Sequence, residues 1–120
     1  MRTIDQGTQS RIEAARTVVV SSEEEWAKLW RAHAPDKPLP PIDFSRDMVV
    51  ALFMGERPTG GYAIEVTQIE RTDAGLSIRY RTRHPDPSAM QTQALTQPFH
   101  LIKLARVDDS VTFVAENPSR

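Results

Sequence analysis

The residues able to do chemistry are few and scattered. His33, His84 and His100 stand on separate stretches, and none has a second histidine or a carboxylate at metal-ligand spacing on a common element. His84 with Pro85-Asp86 comes nearest to a metal or acid–base pair, but a histidine and an aspartate in a proline-rich stretch are ordinarily solvated. The chain has no cysteine, which removes a thiolate metal site, a disulfide scaffold and a cysteine nucleophile together. Nucleophilic catalysis needs a nucleophile, a base and an orienting group in one place, and no serine here sits in a nucleophile-elbow setting. The expectation is no catalytic residue, no metal and no cofactor. A residual enzymatic reading rests on His84 or His100 with Asp86.

Recognition chemistry is better represented. Gly55-Glu56-Arg57-Pro58-Thr59-Gly60-Gly61-Tyr62 follows an apolar run and precedes an alternating one. A tight hairpin would need fewer residues. Pro58 stiffens the approach, Gly60 and Gly61 permit positive φ and close approach of another backbone, and Tyr62 brings a ring. Such a loop on a rigid sheet suits partner binding, with a plain structural turn as the competing reading. Gln97-Pro98-Phe99-His100 is a second candidate, because Phe99 at a loop-to-strand junction could be an exposed anchor; a core position for Phe99 is the alternative. Arg79, Arg81 and Arg83 share one strand face. They read as a solvated face with cross-strand partners, Glu65 opposite Arg81, worth only ~0.2–1 kcal/mol. The sharper reading, an acidic-partner or RNA patch, lacks interleaved exposed aromatics.

These segments must be positioned by a mainly β scaffold. Residues 1–16 read as a short edge strand or extended arm, and Thr17-Val18-Val19-Val20 as a strand. Ser22 stands three residues before Glu25, a capping-box spacing, and Trp26, Leu29, Trp30 and His33 follow at helical intervals, predicting a helix over 22–33 with His33 half-buried at its end. Prolines 35, 38, 40 and 41 forbid its continuation. The run 48–54 is a central strand buried on both faces. Residues 62–71 alternate until Ile69, and a one-residue bulge near Thr67–Gln68 restores the phase. That places Val66 opposite Tyr80. Thr72-Asp73-Ala74-Gly75 is a hairpin turn with Gly75 at positive φ, and 76–83 is the next strand. Residues 84–98 form a long loop, 99–107 and 111–115 are strands, and 117–120 is tail. Connections without helices predict antiparallel pairing. The fold class is mainly β (α+β): an antiparallel β-barrel or sandwich of about six strands with one packed α-helix near the N-terminus.

Composition bounds the partners. At 120 residues the chain suits one domain, 1–120, and its net charge of −1 argues against nucleic acid as the main partner. No apolar run approaches the ~20 residues of a membrane span. Residues 1–7 lack an apolar h-region, so the expectation is cytoplasmic as written, and exported or periplasmic if the chain is a trimmed mature form.

The chain resembles the PrcB C-terminal domain family. The residues that carry the resemblance are Gln6-Gly7-Thr8-Gln9-Ser10, Ser22 with Glu25-Trp26 and Leu29-Trp30, Ile42-Asp43-Phe44-Ser45, Arg57-Pro58-Thr59-Gly60-Gly61-Tyr62, and Thr96-Gln97-Pro98-Phe99-His100-Leu101-Ile102. The family is named for a subunit that associates with a secreted bacterial protease and supports its assembly or stability. The resemblance therefore implies a non-catalytic domain that binds a protein partner, a protease by that implication. The site expected is Arg57, Pro58, Thr59, Gly60, Gly61 and Tyr62, joined by Pro98 and Phe99. Valine at Gly60 or Gly61 is expected to abolish binding while the fold survives. The Arg57–Tyr62 loop is also similar to the Asn-Pro-Thr-Thr-Gly-Tyr loop of chagasin-type protease inhibitors. It has arginine for the asparagine and glycine for the second threonine, so no inhibitor activity is carried over. A rival reading is a small-ligand binder whose pocket lies between helix and sheet, lined by Trp26, Trp30, Phe53 and Tyr80.

Overall fold

The computed structural model describes residues 1–116. The tail expected at 117–120 lies outside them. Seven strands and one helix follow in the order β1 (Arg2–Gly7), β2 (Arg16–Val20), α1 (Glu23–His33), β3 (Asp47–Phe53), β4 (Ala63–Thr72), β5 (Gly75–Arg83), β6 (Phe99–Ala105) and β7 (Val111–Ala115). They form two open sheets, β1-β6-β3-β2 and β4-β5-β7, so the fold is a sandwich and not a barrel. No helix among the described residues is long and apolar enough to cross a membrane.

The continuous apolar run of β3 is explained by its place. Val49, Ala51 and Phe53 pack with Trp26, Leu29 and Trp30 on the helix side. Met48, Val50, Leu52 and Met54 pack with Ile64, Val66, Leu76 and Ile78 on the other side. Period-two alternation thus feeds two cores from one strand, in three layers: helix, four-stranded sheet, three-stranded sheet. β6 does the same, with Phe99 and Leu101 toward the helix and Ile102 and Leu104 toward the second sheet.

The helix begins where the capping residues require. Ser22 Oγ accepts from Glu25 N at 3.2 Å and donates to Glu25 Oε1 at 3.1 Å. The proline-rich loop after it supplies acceptors for the buried indoles. Trp26 Nε1 donates to Pro40 O at 2.9 Å and Trp30 Nε1 to Lys37 O at 3.0 Å.

The bulge falls between Val66 and Gln68, and Val66 lies opposite Tyr80 with Glu65 opposite Arg81. Arg81 pairs with Glu65 at 2.8 Å and Arg79 with Glu116 at 3.5 Å, the cross-strand reading of that stripe. Gly75 turns the hairpin at φ +128. The antiparallel pairing expected of consecutive strands is corrected at one place: β7 does not pair with β6 but lies beside β5 in parallel, Leu76 opposite Val111 through Tyr80 opposite Ala115. The 106–110 connection carries the chain across to the second sheet, so β7 never becomes a hairpin partner of β6. β6 also ends at Ala105, two residues sooner than the apolar pattern suggests.

Candidate functional site

The 55–62 loop is half of a two-loop platform. Its partner is the 84–98 loop, and the two meet through an antiparallel bridge between Arg57 and Thr96. Arg57 N donates to Thr96 O at 2.7 Å and Thr96 N to Arg57 O at 2.9 Å. Thr96 Oγ1 donates to Thr59 O at 2.8 Å, and Gly60 N to Thr92 O at 3.0 Å. Gln97 Nε2 donates to Glu56 Oε1 at 2.9 Å, and Met54 N to Pro98 O at 2.9 Å. Loop backbone groups that water would otherwise serve are paired across the platform, which gives the exposed residues a fixed geometry.

The N-terminal segment braces both loops. Glu56 N donates to Glu13 O at 2.9 Å and Gln97 N to Thr8 O at 2.7 Å. Ser10 N donates to Gln97 Oε1 at 3.2 Å.

The residues singled out from sequence divide into two groups. Pro58 and Gly61 are exposed, and Arg57, Thr59, Gly60 and Tyr62 are half-buried. The Arg57 guanidinium carbon lies 5.5 Å from the Tyr62 ring centroid, and Tyr62 meets the His84 ring edge-on at 5.5 Å. Among the described residues Arg57 Nε has no hydrogen-bond partner. Pro98 and Phe99 form the second group and are corrected. Phe99 is 2% exposed and packs in the helix-side core, and Pro98 is fully buried. A ring that alternation points into the core is no surface anchor. Two apolar side chains that the sequence reading passed over are exposed instead, Met90 at 99% and Leu95 at 58%. Leu95 adjoins Thr96 of the bridge, and Met90 stands two residues before Thr92, which accepts from Gly60 N.

The glycines are not equivalent. Gly61 takes φ +90, and a Cβ there would stand 2.7 Å from Pro85 Cβ and 2.5 Å from Gln91 Oε1. Gly60 has no positive φ, and its Cβ would meet Thr92 at an ordinary 3.5 Å. Valine at Gly61 would therefore strain the platform itself, whereas at Gly60 a Cβ fits without a clash.

The four residues expected to line a helix–sheet pocket do not come together. Trp26, Trp30 and Phe53 fill the helix–sheet interface, whereas Tyr80 packs in the other core, beyond the four-stranded sheet. His100 and Asp86 are not paired: His100 is buried between the sheets, whereas Asp86 is exposed and accepts from Ser88 N at 2.9 Å and Ser88 Oγ at 2.8 Å, which hold its carboxyl below the ordinary range. His84, the other histidine of that reading, is exposed and meets the Tyr62 ring.

One constellation was not legible in the sequence. His33, expected to be half-buried, is enclosed, with Nε2 3.0 Å from Asp5 Oδ2 and Nδ1 2.7 Å from Ser10 Oγ. A carboxylate only accepts, so Nε2 carries the proton and Nδ1 accepts from the Ser10 hydroxyl. Burial among Trp30, Phe53 and Phe99 holds the His33 pKa below its ordinary value, against the opposing hydrogen bond and charge of Asp5; Lys37 adds to the lowering. A serine, a histidine and an aspartate in line have the order of a hydrolytic triad. Here Ser10 Oγ also accepts from Ile12 N at 3.1 Å and Ser10 N is committed to Gln97, so neither of these amides is free for an oxyanion. The arrangement pins the segment that braces the platform to the end of α1.

Comparison with known proteins adds one finding. Residues 48–105, from β3 to β6 and including both platform loops, match the family model described as PrcB C-terminal. No curated protein and no solved structure matches the chain.

Proposed function

We propose, on the premise of the PrcB C-terminal match over residues 48–105, that this is a non-catalytic interaction domain that binds and stabilises or modulates a protease. The contact surface is the two-loop platform, with Arg57, Pro58, Thr59, Gly60, Gly61 and Tyr62 on one loop and Met90 and Leu95 on the other. The observation that carries the reading is the rigid pairing of these loops beside two exposed large apolar side chains. A partner that covered Met90 and Leu95 would gain the free energy of burying their apolar surface. Pro58 and the Arg57–Tyr62 stack would supply preorganised contacts at little entropic cost.

The test is affinity capture with the immobilised domain from cell extract and culture medium, followed by identification and reconstitution. Wild type is expected to retain a protease whose half-life or activity changes when the domain is added back. Gly60→Val and the double variant Met90→Ser with Leu95→Ser are expected to fold normally and lose that partner. Retention of the same protease by both variants would remove the platform from the reading.

A further inference from the structure

Beyond any partner, a buried histidine joins three strands from both sheets. His100 on β6 is 2% exposed. Its Nδ1 accepts from Val66 N on β4 at 2.9 Å, and its Nε2 lies 2.9 Å from Thr3 Oγ1 on β1. Val66 stands at the β4 bulge, where the pairing with β5 shifts register. A backbone N–H can only donate, so Nδ1 must be unprotonated and Nε2–H donates to the threonine hydroxyl. The imidazole is thereby fixed in one tautomer and in the neutral form.

We propose that His100 is an acid-sensitive latch between the two sheets, whose protonation releases β4 from β1 and β6. A proton on Nδ1 would set two N–H groups against each other across 2.9 Å and place a charge in the sandwich interior. The Val66 amide cannot reverse its role. His33 differs in this respect, because its serine hydroxyl can turn from donor to acceptor and its aspartate would welcome the charge.

The surroundings of His100 do little to retain a proton. Its cross-strand neighbours are Gln6 on β1 and Leu52 on β3, both uncharged. Val66, Ile64 and Ile102 pack in the same core. Glu65 on β4 is the charged group that acts on it, and it favours the proton; burial outweighs this and holds the His100 pKa below its ordinary value. Because the folded pKa is the lower, the unfolded chain takes up the proton first as pH falls. Stability is full above the unfolded value of about 6.5, is lost as pH falls toward the folded pKa, and levels off beneath it. Within that window one histidine lowers the folding equilibrium constant by up to about tenfold per pH unit.

The latch is tested on the wild-type chain by NMR. His100 ring signals are followed from pH 7.5 to 4.5, with amide exchange of Val66 corrected for the intrinsic pH dependence. His100 is expected to titrate below pH 6.5, and Val66 protection to fall with that titration before protection in β3 does. His100→Asn keeps an oxygen acceptor near the Nδ1 position but cannot titrate. Its urea midpoint is expected to vary less with pH than wild type, by the single-proton slope. Titration of His100 at or above 6.5, or Val66 protection that is lost only together with that of β3, would overturn the latch. An unchanged pH slope in a folded His100→Asn chain would do the same.

Discussion

Thr96 donates its hydroxyl to the carbonyl oxygen of Thr59 at 2.8 Å, a bond that spans 37 residues of sequence and joins the two platform loops. Thr96 is buried, so valine in its place keeps the shape but leaves the Thr59 oxygen without this donor. Thr96→Val is expected to lower stability by about 1 kcal/mol, a fall of several degrees in Tm. Proteolytic nicking within 84–95 should also become faster. A variant with wild-type Tm and wild-type nicking would show that the backbone bridge holds the loops alone.

Ser22 caps the single helix and exchanges hydrogen bonds with Glu25. Ser22→Ala is expected to destabilise by about 1 kcal/mol. Urea unfolding followed by tryptophan emission reads this well, because Trp26 and Trp30 lie on that helix. Ser22→Asp should recover most of the loss, since an aspartate can accept from the same amide.

Ser10 serves the His33 ring, the Ile12 amide and, through its own amide, Gln97. Ser10→Ala removes an acceptor and a donor from a half-buried position beside the buried His33 ring. The expected cost is about 1–3 kcal/mol in urea unfolding. Gln97 keeps its bond to Thr8, so the platform should survive in the folded state.

Asp5 opposes the burial that lowers the His33 pKa. Asp5→Asn retains an oxygen for Nε2–H but removes the charge. The His33 pKa is then expected to fall further beneath its ordinary value, as read by NMR titration of the ring. With the folded value lower, acid between the unfolded pKa and that value removes more stability in the variant than in wild type. An unmoved His33 titration would mean that Asp5 acts only as a hydrogen-bond acceptor.

Gly75 turns the β4–β5 hairpin at positive φ, and a Cβ there would collide with the Ser110 carbonyl oxygen, which accepts from Leu76 N at 2.8 Å. Gly75→Ala is expected to cost more than the ~1–3 kcal/mol of a left-handed residue alone, because the β7 approach must also shift. Thermal unfolding checks this, with Ala74→Gly as a nearby control.

Local signals were legible and long-range ones were not. The helix start at Ser22, the bulge past Val66, the double burial of β3 and the Gly75 turn all follow from periods and residue types within a dozen positions. The parallel seat of β7 does not, because nothing in Val111–Ala115 says which sheet receives it. Period-two alternation could have placed Phe99 in the helix-side core with Leu101, which is where it packs. The roles of His33 and His100 depend on Asp5, Ser10, Thr3 and Val66, which lie 23 to 97 residues away in the chain. Met90 and Leu95 carried no pattern at all; their exposure is visible only once the loop is in place.

β4 is the outer strand of its sheet, yet two of its backbone groups are engaged from the first sheet: the Ile64 carbonyl accepts from Gln6 Nε2 at 3.5 Å, and the Val66 amide donates to His100. A strand arriving from another molecule would have to displace both side chains before it could zip along this margin. The first sheet thereby covers the Ile64–Val66 stretch of a flank on which β-rich chains commonly aggregate, without the strand closure of a barrel. Acid that opened the Val66 contact would expose that flank, so low pH should bring self-association as well as lost stability.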